Sequence, residues 1–335
     1  MKSLRFFYLA QNHERKIDGN TTKRIENVGP AEQKERGCKP VLNSFINAFI
    51  LGVETGCIYA IIALGLSIIF GIIRVVNFAH GTILVLSLYA GYYIFKYLNI
   101  DPYLSAIICA GAVFFLGYAI QFIVVKPVFV REKAYVVEPL GVLLLMAGVD
   151  MILSSLGIIV FNPYVKSVNT IMSNTLINIG TSTFNVSRMI PIPIAVILTF
   201  IVNWVLNRTE IGNNIRAVGQ NREAAAACGI NVHHIYALAF GMGCAVTAFG
   251  GNFLLPFYLI TPTIGTGLTI NAFIVVVLGG MGSINGMLVA GVIIGLIESI
   301  SSMFMPGGLA TLVTLAFFIV IIIAKPSGLF GKIRV

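Results

Sequence analysis

Of 335 residues, 57% are hydrophobic and only 10% charged, with a mean hydropathy of +0.92. Soluble globular domains carry about 25% charged residues, so the composition rules against a water-soluble fold and points to a polytopic membrane protein. The net charge of +9 does not mark a nucleic-acid protein, because the cations sit in short segments between apolar runs and form no single basic face.

Residues 1–40 hold nine Lys/Arg and five Asp/Glu and read as a flexible basic tail. Their apolar patch, LRFFYLA, is too short for the h-region of a signal peptide. From residue 41 to 331 the chain reads as one transmembrane domain. A spanning helix needs about 20 apolar residues, and runs of that order occur at 42–73 (broken only by Glu54), 75–95, 102–125, 139–161 (only Asp150) and 189–207. Between Ala224 and Ala324, Glu298 is the sole Asp, Glu, Lys or Arg, so this stretch must cross several times. Three knots divide it: TPTIGTGLTIN (261–271), GGMGSING (279–286) and SSMFMPGG (301–308). The two middle segments are expected to be short, as in broken or re-entrant helices. The fold class expected is all-α, with about eight to ten transmembrane helices. The runs do not alternate and are too long for barrel strands.

Basic segments at 126–133, 207–234 and the C-terminal KPSGLFGKIRV are assigned to the cytoplasm, and the Asn/Ser/Thr-rich 162–188 to the outside. Counting back puts Arg74 inside and the basic tail outside, unless an extra turn lies within 42–73.

Chemistry is sparse. None of the five cysteines shares a metal or redox spacing, and His233–His234 lack partners at i+3 or i+4, so no metal site is expected. No G-x-x-x-x-G-K-[ST] phosphate loop occurs. The chain is therefore expected to be no enzyme and to bind no nucleotide or cofactor itself, which leaves transport. Intramembrane acids are costly and default to functional candidates. Of Glu54, Asp150 and Glu298, the isolated Glu298 is the strongest. Asn77 and His80, in RVVNFAHG, join Glu298 as translocation-path candidates, with capping and packing as their bland reading. Gly279, Gly280, Gly282 and Gly286 are assigned to helix packing or a hinge. Gly52-x-x-x-Gly56 and Gly291-x-x-x-Gly295 suit helix contacts. Phe249, Phe253 and Phe257 recur as one helical face.

The exception to this apolar character is NRTEIGNNIRAVGQNREAAAACGINVHH (207–234). Its Glu223-Ala224-Ala225 followed by Gly229 resembles the EAA-x-x-x-G loop of ABC importer permeases. A short Ala-faced helix ended by Gly229 can seat in a partner's groove. GLSIIFGIIRVVNFAHG (65–81), NIRAVGQNREAAAACGINV (214–232), NAFIVVVLGGMGSINGMLVAGVIIGLIE (271–298) and KPSGLFG (325–331) resemble, in order, the smaller permease type of the high-affinity leucine/isoleucine/valine importers. The resemblance covers about residues 42–331; residues 1–40 depart from it.

The resemblance implies a subunit of a bacterial cytoplasmic (inner) membrane importer, working by alternating access. Two cytoplasmic ATPases would consume ATP and dock on Arg216, Asn221, Glu223, Ala224, Ala225 and Gly229. A second permease subunit, in that family of a different type, and an extracytoplasmic amino-acid-binding protein would complete the complex. Two alternatives stay open: a related permease for urea, amides or another small polar solute, or an ion-coupled secondary transporter using Glu54, Asp150 and Glu298.

Overall fold

The structure is a computed structural model that describes residues 30–73, 77–131, 138–170, 172–179 and 182–331. The chain divides into two compact units, Met1–Asn47 and Ala48–Val335, and the packed helical bundle is the second. Residues 1–29 of the expected tail, Arg74, residues 132–133 of the first basic segment and residues 332–335 lie outside the described residues. Residues 30–40, expected in the tail, belong to helix α1.

Helix α1 runs unbroken over Pro30–Ile73, so no extra turn interrupts 42–73. It is followed by α2 (His80–Leu98), which ends where Asn99 takes a left-handed conformation, and by α3 (Pro102–Ile120). Helix α3 starts where the Asp101 side chain accepts the Tyr103 N–H and Pro102 supplies a preset φ. It continues through a π-turn, Gln121–Val125, into α4 (Lys126–Arg131). Helix α5 (Glu138–Phe161) leads to a segment that carries a hairpin of β1 (Leu176–Ile179) and β2 (Ser182–Asn185) in register Leu176 opposite Asn185. Next come α6 (Val186–Met189) and α7 (Pro191–Arg208), the polar pair α8 (Glu210–Gln220) and α9 (Arg222–Ala227), then α10 (Val232–Asn252), α11 (Ile264–Gly279), α12 (Ile284–Phe304) and α13 (Gly307–Ala324).

Seven of these segments are long and apolar enough to cross a membrane: Ser44–Ile73, His80–Leu98, Pro102–Val128, Gly141–Phe161, Val186–Arg208, Val232–Asn252 and Ile284–Phe304; α11 and the apolar part of α13 are shorter. The all-α polytopic class holds, with one small hairpin outside it. Two expectations are corrected. Helix α11 already begins at Ile264, inside the supposed 261–271 knot, because Gly265 and Thr269 are buried against α2, and that packing outweighs the low helix propensity of its Thr and Gly residues. Of the middle pair only α11 is short; α12 has 21 residues and reaches Phe304. Helix α10 ends at Asn252, so Phe249 alone of the phenylalanine series is helical. Phe253 lies in the turns beyond and meets Phe249 at 5.2 Å, while Phe257 carries the Arg188 guanidinium 5.6 Å above its ring.

Lipid tails offer no hydrophobic force between helices, so small residues that let backbones touch decide the packing. The two small-residue pairs read from the sequence meet each other: Gly52 and Gly56 of α1 lie on Gly291 and Gly295 of α12. A Cβ on Gly291 would stand 2.6 Å from the Gly56 carbonyl oxygen, and one on Gly56 2.6 Å from the Gly291 oxygen. Helix α10 packs most extensively on α3. The acid Asp150 of α5 accepts a hydrogen bond from Thr82 of α2, a helix-to-helix tie. Glu54 is buried near the charge of Arg188.

Gly291→Leu is expected to destabilise the protein by more than about 2 kcal/mol, because the contact is backbone on both sides. Gly111→Leu, where nothing stands within 4 Å of the added carbon, should be neutral. Temperature-dependent loss of the monodisperse peak in detergent separates the two; equal behaviour would refute the close-packed crossing.

Candidate functional site

The polar stretch folds as two short helices joined by side-chain caps. Thr209 closes α7 and opens α8 at once: its hydroxyl donates to the Val205 carbonyl at 2.6 Å and accepts the Gly212 N–H at 3.1 Å. Helix α8 is amphipathic, burying Gly212, Ile215 and Val218 while Asn213, Arg216 and Gln220 stay exposed. Asn221 then caps α9 by accepting the N–H groups of Glu223 and Ala224, both at 3.0 Å. In α9 Ala225 is buried, and Glu223, Ala224, Ala226 and Ala227 are exposed.

The exit from α9 is a paired C-terminal cap. Gly229 N–H donates to the Ala226 carbonyl at 3.0 Å and Ile230 N–H to the Ala225 carbonyl at 3.1 Å. Gly229 has φ +85° with open space around it, so the backbone turn, not crowding, is what asks for glycine there. Asn231 caps α10 through the His234 N–H. One turn of chain thus unites Asn221, Glu223, Ala224, Ala225 and Gly229. Arg216 is turned elsewhere: its guanidinium donates to Asn207 at 2.8 Å and to Asn213, and it lines a cleft beside α8.

The glycine knot sits against this loop. Gly280 and Gly282 have φ +92° and +84°, making the sharp reversal between α11 and α12, and Ser283 caps α12 through the Gly286 N–H. Gly279 and Gly286 touch backbone to backbone. The C-terminal KPSGLFG folds onto the same reversal, with Leu329 N–H donating to the Leu278 carbonyl at 2.7 Å. On the other side, a Cβ on Gly219 of α8 would lie 3.2 Å from the Gly71 oxygen, and one on Gly71 3.5 Å from Gly282 Cα. Four motifs that are far apart in sequence therefore meet in one place.

The path candidates do not share a site. His80 is fully buried, with Nε2 3.0 Å from the Ile62 carbonyl and 2.9 Å from Thr247 Oγ1. A carbonyl can only accept, so Nε2 carries the proton and the ring ties α1, α2 and α10 together. Asn77 is buried with both side-chain polar atoms unpaired; its side chain caps nothing. It shares a void of about 10 Å³ with Gln121 of the π-turn. Glu298 is half-buried on α12. Tyr59 of α1 donates its hydroxyl to this carboxylate and accepts from Asn271 of α11, and Tyr258 lies near enough to feel its charge. Glu298 Oε2 is enclosed and has no partner.

Tyr59, Asn271 and Tyr258 escape sequence reading because nothing distinguishes them among twelve tyrosines and the many residues of apolar helices. A second missed group lies outside. Lys166 donates to the Tyr93 hydroxyl at 2.7 Å, and its ammonium stands 4.6–5.9 Å from the rings of Tyr89, Tyr92, Tyr93 and Phe161. No group of His, Cys, Asp and Glu suited to a metal ion is found among the described residues.

The profile of the family described as branched-chain amino acid transport system / permease component matches residues 49–324. The chain belongs to this family. It is 28% identical to the high-affinity branched-chain amino acid transport system permease protein LivH of Salmonella typhimurium, over 86% of this chain and 96% of that protein. It is 25% identical to the BraD permease protein of Pseudomonas aeruginosa, named for the same kind of system, over 88% and 98%. A ribose import permease protein, RbsC of Bacillus subtilis, is 32% identical over a third of this chain. No solved structure matches. The matched range takes in the capped loop, the glycine knot and Glu298, so this transport permease, a multi-pass membrane protein, carries all three within its family domain.

Asn221→Ala and Gly229→Ala should each cost about 1 kcal/mol of local stability, from the lost cap and the strained left-handed backbone respectively. Gly229→Asn, which tolerates that conformation, should cost less. Hydrogen exchange over residues 222–230 reads this as a roughly fivefold loss of protection for the alanine variants; unchanged exchange would remove the caps' role.

Proposed function

We propose that this chain is the permease subunit of an ABC-type importer that carries leucine, isoleucine or valine across the cytoplasmic membrane by alternating access. In this reading it binds no nucleotide and no cofactor; two ATPase subunits supply the ATP chemistry, a second permease subunit completes the path, and an extracytoplasmic binding protein delivers the amino acid. The observation that carries the proposal is the α8–α9 loop. It presents a short helix fixed at both ends, whose exposed Glu223, Ala224, Ala226 and Ala227 leave room for close approach by a partner.

Movement at α9 has a short route inward. The route passes through α8, whose Gly219 lies on Gly71 at the end of α1, and on to Gly282 and α12. Glu298 lies about 20 Å along α12 from Ile284, at 1.5 Å per residue. The carboxylate's unpaired oxygen suits the ammonium of an amino acid, and its half-buried setting suits a path completed by a second subunit. Full burial and the two Nε2 contacts give His80 a packing role in this scheme, with its Nδ1 enclosed and unpaired. The leucine, isoleucine and valine assignment draws on the names of the relatives that match over most of the chain. The partial likeness to a ribose permease makes another small polar solute the alternative outcome of a substrate screen.

Pull-down of the chain with its co-expressed neighbours should recover an ATPase, and Glu223→Arg with Gly229→Trp should abolish that recovery. Recovery of no ATPase by the wild type, with gradient-driven uptake in liposomes, would favour a secondary transporter instead. In the assembled complex Glu298→Gln should lower leucine uptake at least tenfold, on the order of one charge-assisted contact. Uptake at the wild-type rate would remove Glu298 from the path.

A further inference from the structure

The cleft beside α8 has a volume of about 710 Å³, within the roughly 300–1,000 Å³ of pockets that hold small molecules. It opens where α1 and α7 end and α12 begins, the level at which the bundle leaves the membrane. Its walls are mainly apolar, from Ile68, Leu206, Ile215 and Met281, with Phe330 at the rim. Met281 and Phe330 are each 48% exposed, so the apolar surface continues to the mouth. Among the described residues that line it, Arg216 is the one that is charged, and none is acidic. Its guanidinium has five N–H donors and gives hydrogen bonds to two asparagines, so donors remain for an anion. Deeper in, Ser67 is 2% exposed and its hydroxyl has no partner, a buried polar group that ordinarily costs about 1–3 kcal/mol when left unmet.

One cation at the mouth, one unmet hydroxyl within and apolar walls between them describe an anionic amphiphile. We propose that the cleft binds an anionic phospholipid of the cytoplasmic leaflet, with its phosphate on Arg216, an ester carbonyl on the Ser67 hydroxyl and acyl chain along Leu206, Ile215 and Met281. Basic recesses between helices on the cytoplasmic side are suited to such headgroups. The lipid has a mechanical place as well, because Gly71, Gly219 and Gly282 border the same cleft. A bound lipid braces the junction through which α8 meets α1 and α12. The inference rests on the proposed function only for the side of the membrane on which α8 lies.

The test uses the assembled permease–ATPase complex in nanodiscs of phosphatidylcholine alone or of equal parts phosphatidylcholine and phosphatidylglycerol. Native mass spectrometry counts retained lipid, and ATP hydrolysis is followed in parallel. The wild type should retain phosphatidylglycerol in preference to phosphatidylcholine and hydrolyse ATP faster in the mixed discs. Ser67→Ala should lower retention roughly fivefold and Arg216→Gln at least about tenfold. Met281→Trp, which fills the cleft and leaves both polar groups in place, should abolish retention while the complex elutes intact on size exclusion. Equal retention of both lipids, or phosphatidylglycerol retention unchanged in all three variants, would overturn the site. Leucine binding in pure phosphatidylcholine discs that depends on Ser67 would also overturn it, in favour of a soluble carboxylate, and phosphatidylglycerol retained by the permease alone but absent from the assembled complex would overturn it by assigning the cleft to the ATPase. Absence of leucine uptake by the wild-type complex in proteoliposomes, with lipid retention in the discs intact, would reject the transport reading and leave the lipid site standing.

Discussion

Backbone-to-backbone contact is the constraint on which this architecture depends. Where α1 crosses α12, the Gly56 and Gly291 carbonyls stand where each other's Cβ would be, and no side chain can be added to either without moving a helix. A bilayer offers these helices no water to flee, so closeness itself supplies the attraction through dispersion and complementary dipoles. Gly219 stands nearly as close to Gly71, a Cβ on it lying 3.2 Å from the Gly71 oxygen, while Gly71 and Gly282 meet in ordinary van der Waals contact. Contacts of this kind have no flexible side chain to absorb displacement, which makes them rigid couplings as well as adhesive ones.

That rigidity gives the site its two ends. The α8–α9 loop is held by Thr209, Asn221, Gly229 and Asn231, so a force on its exposed alanines moves a body and does not merely bend a loop. The Glu298 cluster at the other end is only partly built: Tyr59, itself held by Asn271, meets the carboxylate, yet Oε2 remains enclosed and unpaired. An unmet carboxylate oxygen in a membrane helix is costly, and a chain that keeps one needs a ligand or a neighbour to answer it. The family's transport role is consistent with either source of that answer.

Much of this was legible in the residues. The apolar helices and the paired small-residue motifs follow from hydropathy and spacing, because the bilayer imposes length and the backbone imposes self-satisfied hydrogen bonds. The cap of α9 was readable from Glu223 to Gly229, although the role of Asn221 as a double acceptor needed coordinates. The start of α11 was misplaced because Thr and Gly read as turn residues until burial against α2 is known; a Cβ on Gly265 would touch the Gly81 carbonyl. His80 and Glu298 looked equivalent as polar residues in apolar runs. What separates them is that His80 is fully buried and ties three helices through Nε2 while its Nδ1 stays unpaired, whereas Glu298 is only half-buried, and that is a tertiary fact. Tyr59 and Lys166 carry no local signal: Tyr59 is one aromatic within a long apolar run, and a lysine near a membrane boundary is ordinary.

The two ends of the bundle are fastened by different physics, and the difference bears on how such a protein can change shape. At the end where α8 lies the junction is glycine on glycine. At the opposite, outer end of the proposed topology the 162–170 segment is held to residue 260 by a pair of backbone hydrogen bonds of 3.0 and 2.9 Å and to α2 by Lys166 in its aromatic box. A cation over a ring contributes about 0.5–2 kcal/mol, and a hydrogen bond to Tyr93 about 1 kcal/mol net, so the outer fastening is worth only a few kcal/mol and can be exchanged. Backbone crossings cannot be exchanged piecemeal; they hold or slide as units. In the proposed importer, a push delivered at α9 would travel through α8 and the Gly219, Gly71 and Gly282 contacts toward α12, and the 162–170 fastening would be the cheaper one to release. An importer needs that asymmetry, with a stiff end that receives the force and a yielding end that admits the cargo.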